Sequence, residues 1–132
     1  MRLAALLLIA AAALAGCGSD DPNPSAPGHD TLARLVITVD ADGEGDAPAR
    51  ELTLDCAEPT DSQACGAVAG VSTRDLAPTP GDTACTQLFG GPETATIKGT
   101  LRGEPVDAQF SRSDGCEVNR WKRVEALLAE VK

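Results

Sequence analysis

Cysteine placement constrains this chain more than any other feature. One cysteine, Cys17, closes an apolar leader, and the other four, Cys56, Cys65, Cys85 and Cys116, are spread over the remainder. An even number of cysteines in an exported stretch of about a hundred residues predicts two disulfides. Four cysteines allow three pairings. The sequential pairing, Cys56–Cys65 and Cys85–Cys116, closes one short and one longer loop, each adding on the order of 3 kcal/mol by restricting the unfolded chain. A four-cysteine zinc site would use the same sulfurs, but the sequence has no CxxC pair and export argues against it. Neither a metal nor any other cofactor is expected.

Export is read from the N-terminus. Arg2 gives a positive start, and Leu3 to Ala15 is an unbroken apolar run of thirteen residues. That run is too short to span a bilayer but suits a secretory leader. It ends in Leu14-Ala15-Gly16-Cys17, small residues before a cysteine that resemble the bacterial lipobox. In that motif Cys17 takes a diacylglyceryl thioether and becomes the mature N-terminus. Residues 1–16 are therefore expected to be a lipoprotein signal peptide, with the mature chain anchored on the extracytoplasmic face of the membrane. Acyl chains gain about 0.8 kcal/mol per buried methylene, so several chains on one cysteine anchor stably. Residues 17–30, with Pro22, Pro24 and Pro27 and no apolar periodicity, read as a tether. One domain, residues 31–132, remains.

Charge narrows the choice of partner. The chain carries 11 basic and 20 acidic residues, a net of −9, and loss of Arg2 with the leader makes it 10 − 20 = −10. With only Phe89, Phe110 and Trp121 as aromatics and no basic stripe, nucleic-acid binding is excluded. The single histidine, His29, lies in the tether, so no imidazole is available in the domain to activate Ser72, Ser111 or Ser113. An enzyme is not expected.

Within the domain, Leu32 to Asp40 and Arg50 to Asp55 alternate as strands, and the acidic, Gly-rich segment between them reads as a hairpin loop. Pro59 to Ala69 reads as a short helix capped by Thr60 or Asp61 and stopped by Gly70. Asp75 to Asp82, with Pro78 and Pro80, is expected to be irregular. Thr94 to Leu101 and Val106 to Ser111 keep period two, with Arg102-Gly103-Glu104 as their turn and Pro105 opening the second strand. Val118, Trp121, Val124, Leu128 and Val131 recur at helical steps, and Glu117 and Lys132 suit the two ends of that dipole. Antiparallel strands with segregated helices predict an α+β fold.

The acidic loop invites a second reading. Asp40, Asp42 and Glu44 with Gly45, and Glu51 further on, nearly fit the spacing of an EF-hand calcium loop. Glu stands where Asp or Asn is usual, Pro48 interrupts, and strands flank the segment. A solvated hairpin tip explains residues 40–51 without a ligand.

From Cys85 onward the residues become specific. Cys85-Thr86-Gln87-Leu88-Phe89-Gly90-Gly91-Pro92 runs to Ala95-Thr96, Gly99-Thr100 and Arg102-Gly103-Glu104-Pro105-Val106-Asp107-Ala108. Phe110-Ser111-Arg112, Gly115-Cys116-Glu117 and Trp121 follow. This pattern resembles the Streptomyces subtilisin inhibitor family of actinobacterial serine-protease inhibitors. The likeness covers Thr31 to Trp121 and is strongest from Cys85 to Glu117. It implies that residues 31–132 form a subtilisin-inhibitor-like domain, with about five antiparallel strands, two helices and the sequential disulfides, often as a homodimer. It further implies a reactive loop in which Cys85 is P3, Thr86 P2, Gln87 P1, Leu88 P1′ and Phe89 P2′, with Gln87–Leu88 as the scissile bond.

A loop of that kind works by pre-organisation: an extended segment adds to the protease as a strand and offers P1 to its specificity pocket. The founding type of the family has proline at P2 and methionine at P1. Thr86 gives up the stiffness of proline, and Gln87 brings an amide that is costly to bury in an apolar pocket. Gly90-Gly91 is expected to loosen the primed side. Two functions follow from these residues. One is a lipid-anchored inhibitor of subtilisin-like proteases. The other is a non-inhibitory envelope binding module that keeps the scaffold and alters the loop.

Overall fold

The computed structural model describes residues 31–132; the expected signal peptide, Cys17 and the expected tether, residues 1–30, lie outside the described residues. Four strands form one antiparallel sheet: β1 (Thr31–Asp40), β2 (Arg50–Ala57), β3 (Thr94–Leu101) and β4 (Glu104–Phe110), in the order β2-β1-β3-β4. The period-two runs produce this directly. Leu35, Ile37 and Val39 of β1 point to one face and are buried, while Arg34 and Val36 point to the other and are exposed. Ile37 pairs with Leu52 on one side and Ile97 on the other, and Ile97 pairs with Ala108, so one apolar row crosses all four strands. A bulge between Thr31 and Ala33 lets the consecutive residues Leu32 and Ala33 both be buried. The outer face carries lateral ion pairs, Arg34–Asp55 and Lys98–Asp107.

Three helices supply the other layer: α1 (Gln63–Ala69), α2 (Thr73–Leu76) and α3 (Gly115–Leu128). Val68, Leu76, Trp121, Val124 and Leu127 join the strand residues in one core. The α+β class and both sequential disulfides are as expected, with Cα–Cα separations of 5.5 Å for Cys56–Cys65 and 5.4 Å for Cys85–Cys116. The described residues hold four strands rather than about five, and three helices rather than two. Residues 77–93 contribute no strand because Pro78, Pro80 and Pro92 lack donors and nothing there alternates.

Several boundaries move for local reasons. Helix α1 begins later than Pro59, because Ser62 rather than Thr60 or Asp61 caps it, its Oγ accepting from the Cys65 N–H at 3.2 Å. Asp75 and Leu76 are helical, not irregular: the Asp75 carboxylate takes the Ser72 N–H at 2.9 Å and the Ser72 hydroxyl at 2.6 Å, closing a turn before Pro78 can interfere. The β3–β4 turn is Arg102-Gly103 alone, both at positive φ (49° and 81°), so Glu104 already belongs to β4. Helix α3 stops at Leu128; Val131 is still buried, carried in by a turn whose N–H bonds Leu128 O, and Lys132 lies beyond the helix.

Candidate reactive loop

Residues 77–93 run from α2 to β3 over the N-terminal end of α3, and a series of side chains holds the first part down. The Arg120 Nε–H donates to Ala77 O at 2.9 Å, and its other guanidinium nitrogens reach Leu76 O and the Glu117 carboxylate. Arg120 is 7% exposed and stacks on Phe110, its guanidinium carbon 4.7 Å from the ring centroid. The Thr79 hydroxyl donates to the other Glu117 oxygen at 2.9 Å. Asp114 caps α3 by accepting from the Cys116 and Glu117 N–H groups at 2.9 and 3.0 Å.

Cys85 joins this platform through Cys116 in the first turn of α3. One residue later the Gly115 N–H donates to Thr86 O at 2.9 Å. That amide is one of the first-turn donors that have no partner within the helix. A side chain at 115 would collide with Thr86 Oγ1, so Thr86 rests against the Gly115 Cα itself. Gln87, Leu88 and Phe89 are exposed. Leu88 at 56% and Phe89 at 68% are, with Val36, the exposed large apolar residues among those described. The chain is then caught again, the Gly90 N–H donating to Arg112 O at 2.7 Å. The segment 112–115 thus grips the loop at both Thr86 and Gly90, leaving three residues presented between the grips.

The expectation that Gly90-Gly91 loosens this side is corrected by packing. A Cβ at Gly90 would lie 2.6 Å from Val118 Cγ2, and one at Gly91, where φ is +150°, would strike Glu93 Oε2. At both glycines the backbone packs against the side chains of Val118, Arg112 and Glu93, so a Cβ would force one of them to shift. Arg112 and Glu93 form an ion pair of 3.0 Å at this corner. No spacing signal joins these two residues, nineteen positions apart, and sequence reading gave neither a role. The pair Gly90-Gly91 before a proline was the available sign of a close-packed corner.

The acidic hairpin loop lies against the same corner, since a Cβ on Gly43 would strike Pro92 O. Two of its carboxylates, Asp40 and Asp42, turn inward on the loop's own backbone. Asp40 Oδ1 accepts from the Asp42 and Gly43 N–H groups, and Asp42 accepts from those of Glu44, Gly45 and Ala47. Glu44's N–H above all, then the Asp40 side chain, holds the Asp42 carboxyl below its ordinary range. Cys85, Asp114 and Cys116 are the one close grouping of metal-ligand types among the described residues, and both sulfurs are spent in the disulfide. No helix among those residues is long and apolar enough to cross a membrane. Comparison with protein-family models, curated proteins and solved structures finds no match.

Proposed function

We propose that this protein is a lipid-anchored, exported inhibitor of subtilisin-like serine proteases, with Gln87–Leu88 as the bond it offers. The observation that carries the reading is the double grip on the loop, at Thr86 by Gly115 and at Gly90 by Arg112, beside the Cys85–Cys116 bond. A substrate-like segment held this way loses little conformational freedom when it pairs with a protease as an added strand. If Gln87–Leu88 is cut, residues 86 and 90 remain attached to the same four-residue stretch, so the new ends stay together and religation competes with release. Thr86 acquires from Gly115 the restraint that a proline would carry in its own ring. Exposed Leu88 and Phe89 supply apolar contact on the primed side.

Titration of subtilisin with the purified full-length chain tests this reading. Stoichiometric or slowly reversed loss of protease activity, with slow cleavage after residue 87, is the expected result. Undetectable inhibition together with no cut after residue 87 refutes it and leaves a binding module on the same scaffold.

A further inference from the structure

We propose that Arg112 is a positioning residue for the primed side of the loop, clamping the Gly90–Gly91 corner so that Leu88 and Phe89 are held in one presented shape. Its consequence for inhibition rests on the reading of residues 85–89 as a reactive loop; the clamp itself rests on geometry.

One main-chain and three side-chain contacts converge on Arg112. Arg112 O receives the Gly90 N–H, and Arg112 Nη1 pairs with Glu93 Oε1 at 3.0 Å. The guanidinium lies 5.8 Å from the Trp121 ring centroid, and Trp121 belongs to the core. The positions that Cβ atoms would take on Gly90 and Gly91 lie 3.3 Å from Arg112 Cβ and Nε and 3.1 Å from Arg112 Nη1 respectively. Arg112 therefore bonds Gly90, lies beside Gly91, pairs with the residue that precedes β3, and meets the core at Trp121.

An isolated surface ion pair contributes little, because water screens it and two long side chains must be ordered. This pair differs in its setting. Both side chains are about two-thirds covered, at 32% exposure each, and Glu93 Oε2 is buried with no hydrogen-bond partner among the described residues. That oxygen is tolerated beside the Gly91 backbone while Oε1 is neutralised by Arg112. Without the guanidinium, an unpaired carboxylate is left part-buried, and the cheapest relief is for Glu93 to swing toward solvent. Doing so opens the space that seats Gly91. Two adjacent glycines then regain the conformational freedom natural to them, and the order of Leu88 and Phe89 goes with it.

Native-state hydrogen exchange on the full-length chain tests the clamp directly, using the Gly90 amide against the Ile97 amide in the sheet as internal reference. In Arg112→Ala the Gly90 amide should exchange about tenfold faster while Ile97 is unchanged, the size expected from losing one part-buried pair and one cation–π contact. Arg112→Lys, which keeps the charge but not the flat contact, should fall between. It also supplies the ratio if the alanine variant does not fold. An unchanged ratio in the folded variant overturns the proposal. Subtilisin titration of the same proteins separates the two readings. Where wild type inhibits, Arg112→Ala should inhibit about tenfold more weakly and be cut faster at Gln87–Leu88. Where neither protein inhibits nor is cut, the inhibitor reading fails and the Gly90 ratio alone decides for or against the clamp.

Discussion

In the inhibitor reading, Gln87 is the residue on which affinity turns, because it stands at P1 beside the held Thr86. Its side chain is exposed and polar, between a threonine held by Gly115 and a leucine open to solvent. In the inhibitor reading, Gln87→Met replaces an amide with an apolar anchor and should gain about 1–3 kcal/mol, roughly ten- to a hundredfold in affinity for subtilisin. Inhibition constants for the two proteins check this. If the substitution changes nothing, the side chain at 87 does not enter the pocket and the assignment of P1 is wrong.

Among the elements, the short ones are made by single side chains, and α2 is the clearest case. Four residues cannot sustain a helix by propensity, and Asp75 holds this one by accepting twice from Ser72. The Ser72 hydroxyl first, then its N–H, lowers the Asp75 carboxyl below its ordinary range, with Arg123 and Arg74 adding smaller attraction. A carboxyl depressed in the folded state stabilises above its unfolded value, and that stability is lost as pH falls through the folded one. Asp75→Asn should thus lower the urea midpoint at about pH 6, and the effect should shrink as pH falls below the ordinary carboxylate range. An effect that stays the same as pH falls would mean that the carboxylate charge plays no part.

At the scale of the whole molecule the two disulfides divide the labour. Cys56 and Cys65 are buried and tie β2 to α1, far along the chain from the loop, whereas Cys85–Cys116 closes a span of 31 residues against 9. Loop-closure entropy puts their contributions at about 3 and 4 kcal/mol, so paired serine variants should lose stability to similar degrees. Function should separate them. Serines at 85 and 116 free one side of the loop and should abolish inhibition at temperatures where the chain is still folded. Serines at 56 and 65 should leave it largely intact. Thermal melts with subtilisin titrations measure both. Anchoring is a separate property: Cys17→Ser should move the protein from the membrane fraction or leave it as precursor, and a free thiol at Cys17 by mass spectrometry rules the lipid out.

Alternation along β1, β3 and β4, the three- and four-residue steps of α3 and the even cysteine count are local patterns, and each element they predict is present within a few residues. Period two or 3.6 is a property of consecutive residues, so an isolated sequence carries it in full. The place of a loop after Cys85 came from the family resemblance and not from any period. Whether that loop is slack or held was not legible, because its restraints come from residues 22 and 29 positions away. Gly115 and Arg112 meet Thr86 and Gly90 because β3 and β4, which lie between them, return the chain to the loop. Glycine pairs, read alone, signify freedom; against Val118, Arg112 and Glu93 the same pair marks the absence of space. Conformational entropy is a property of the residue, but steric exclusion belongs to its neighbours, and the fold alone chooses those.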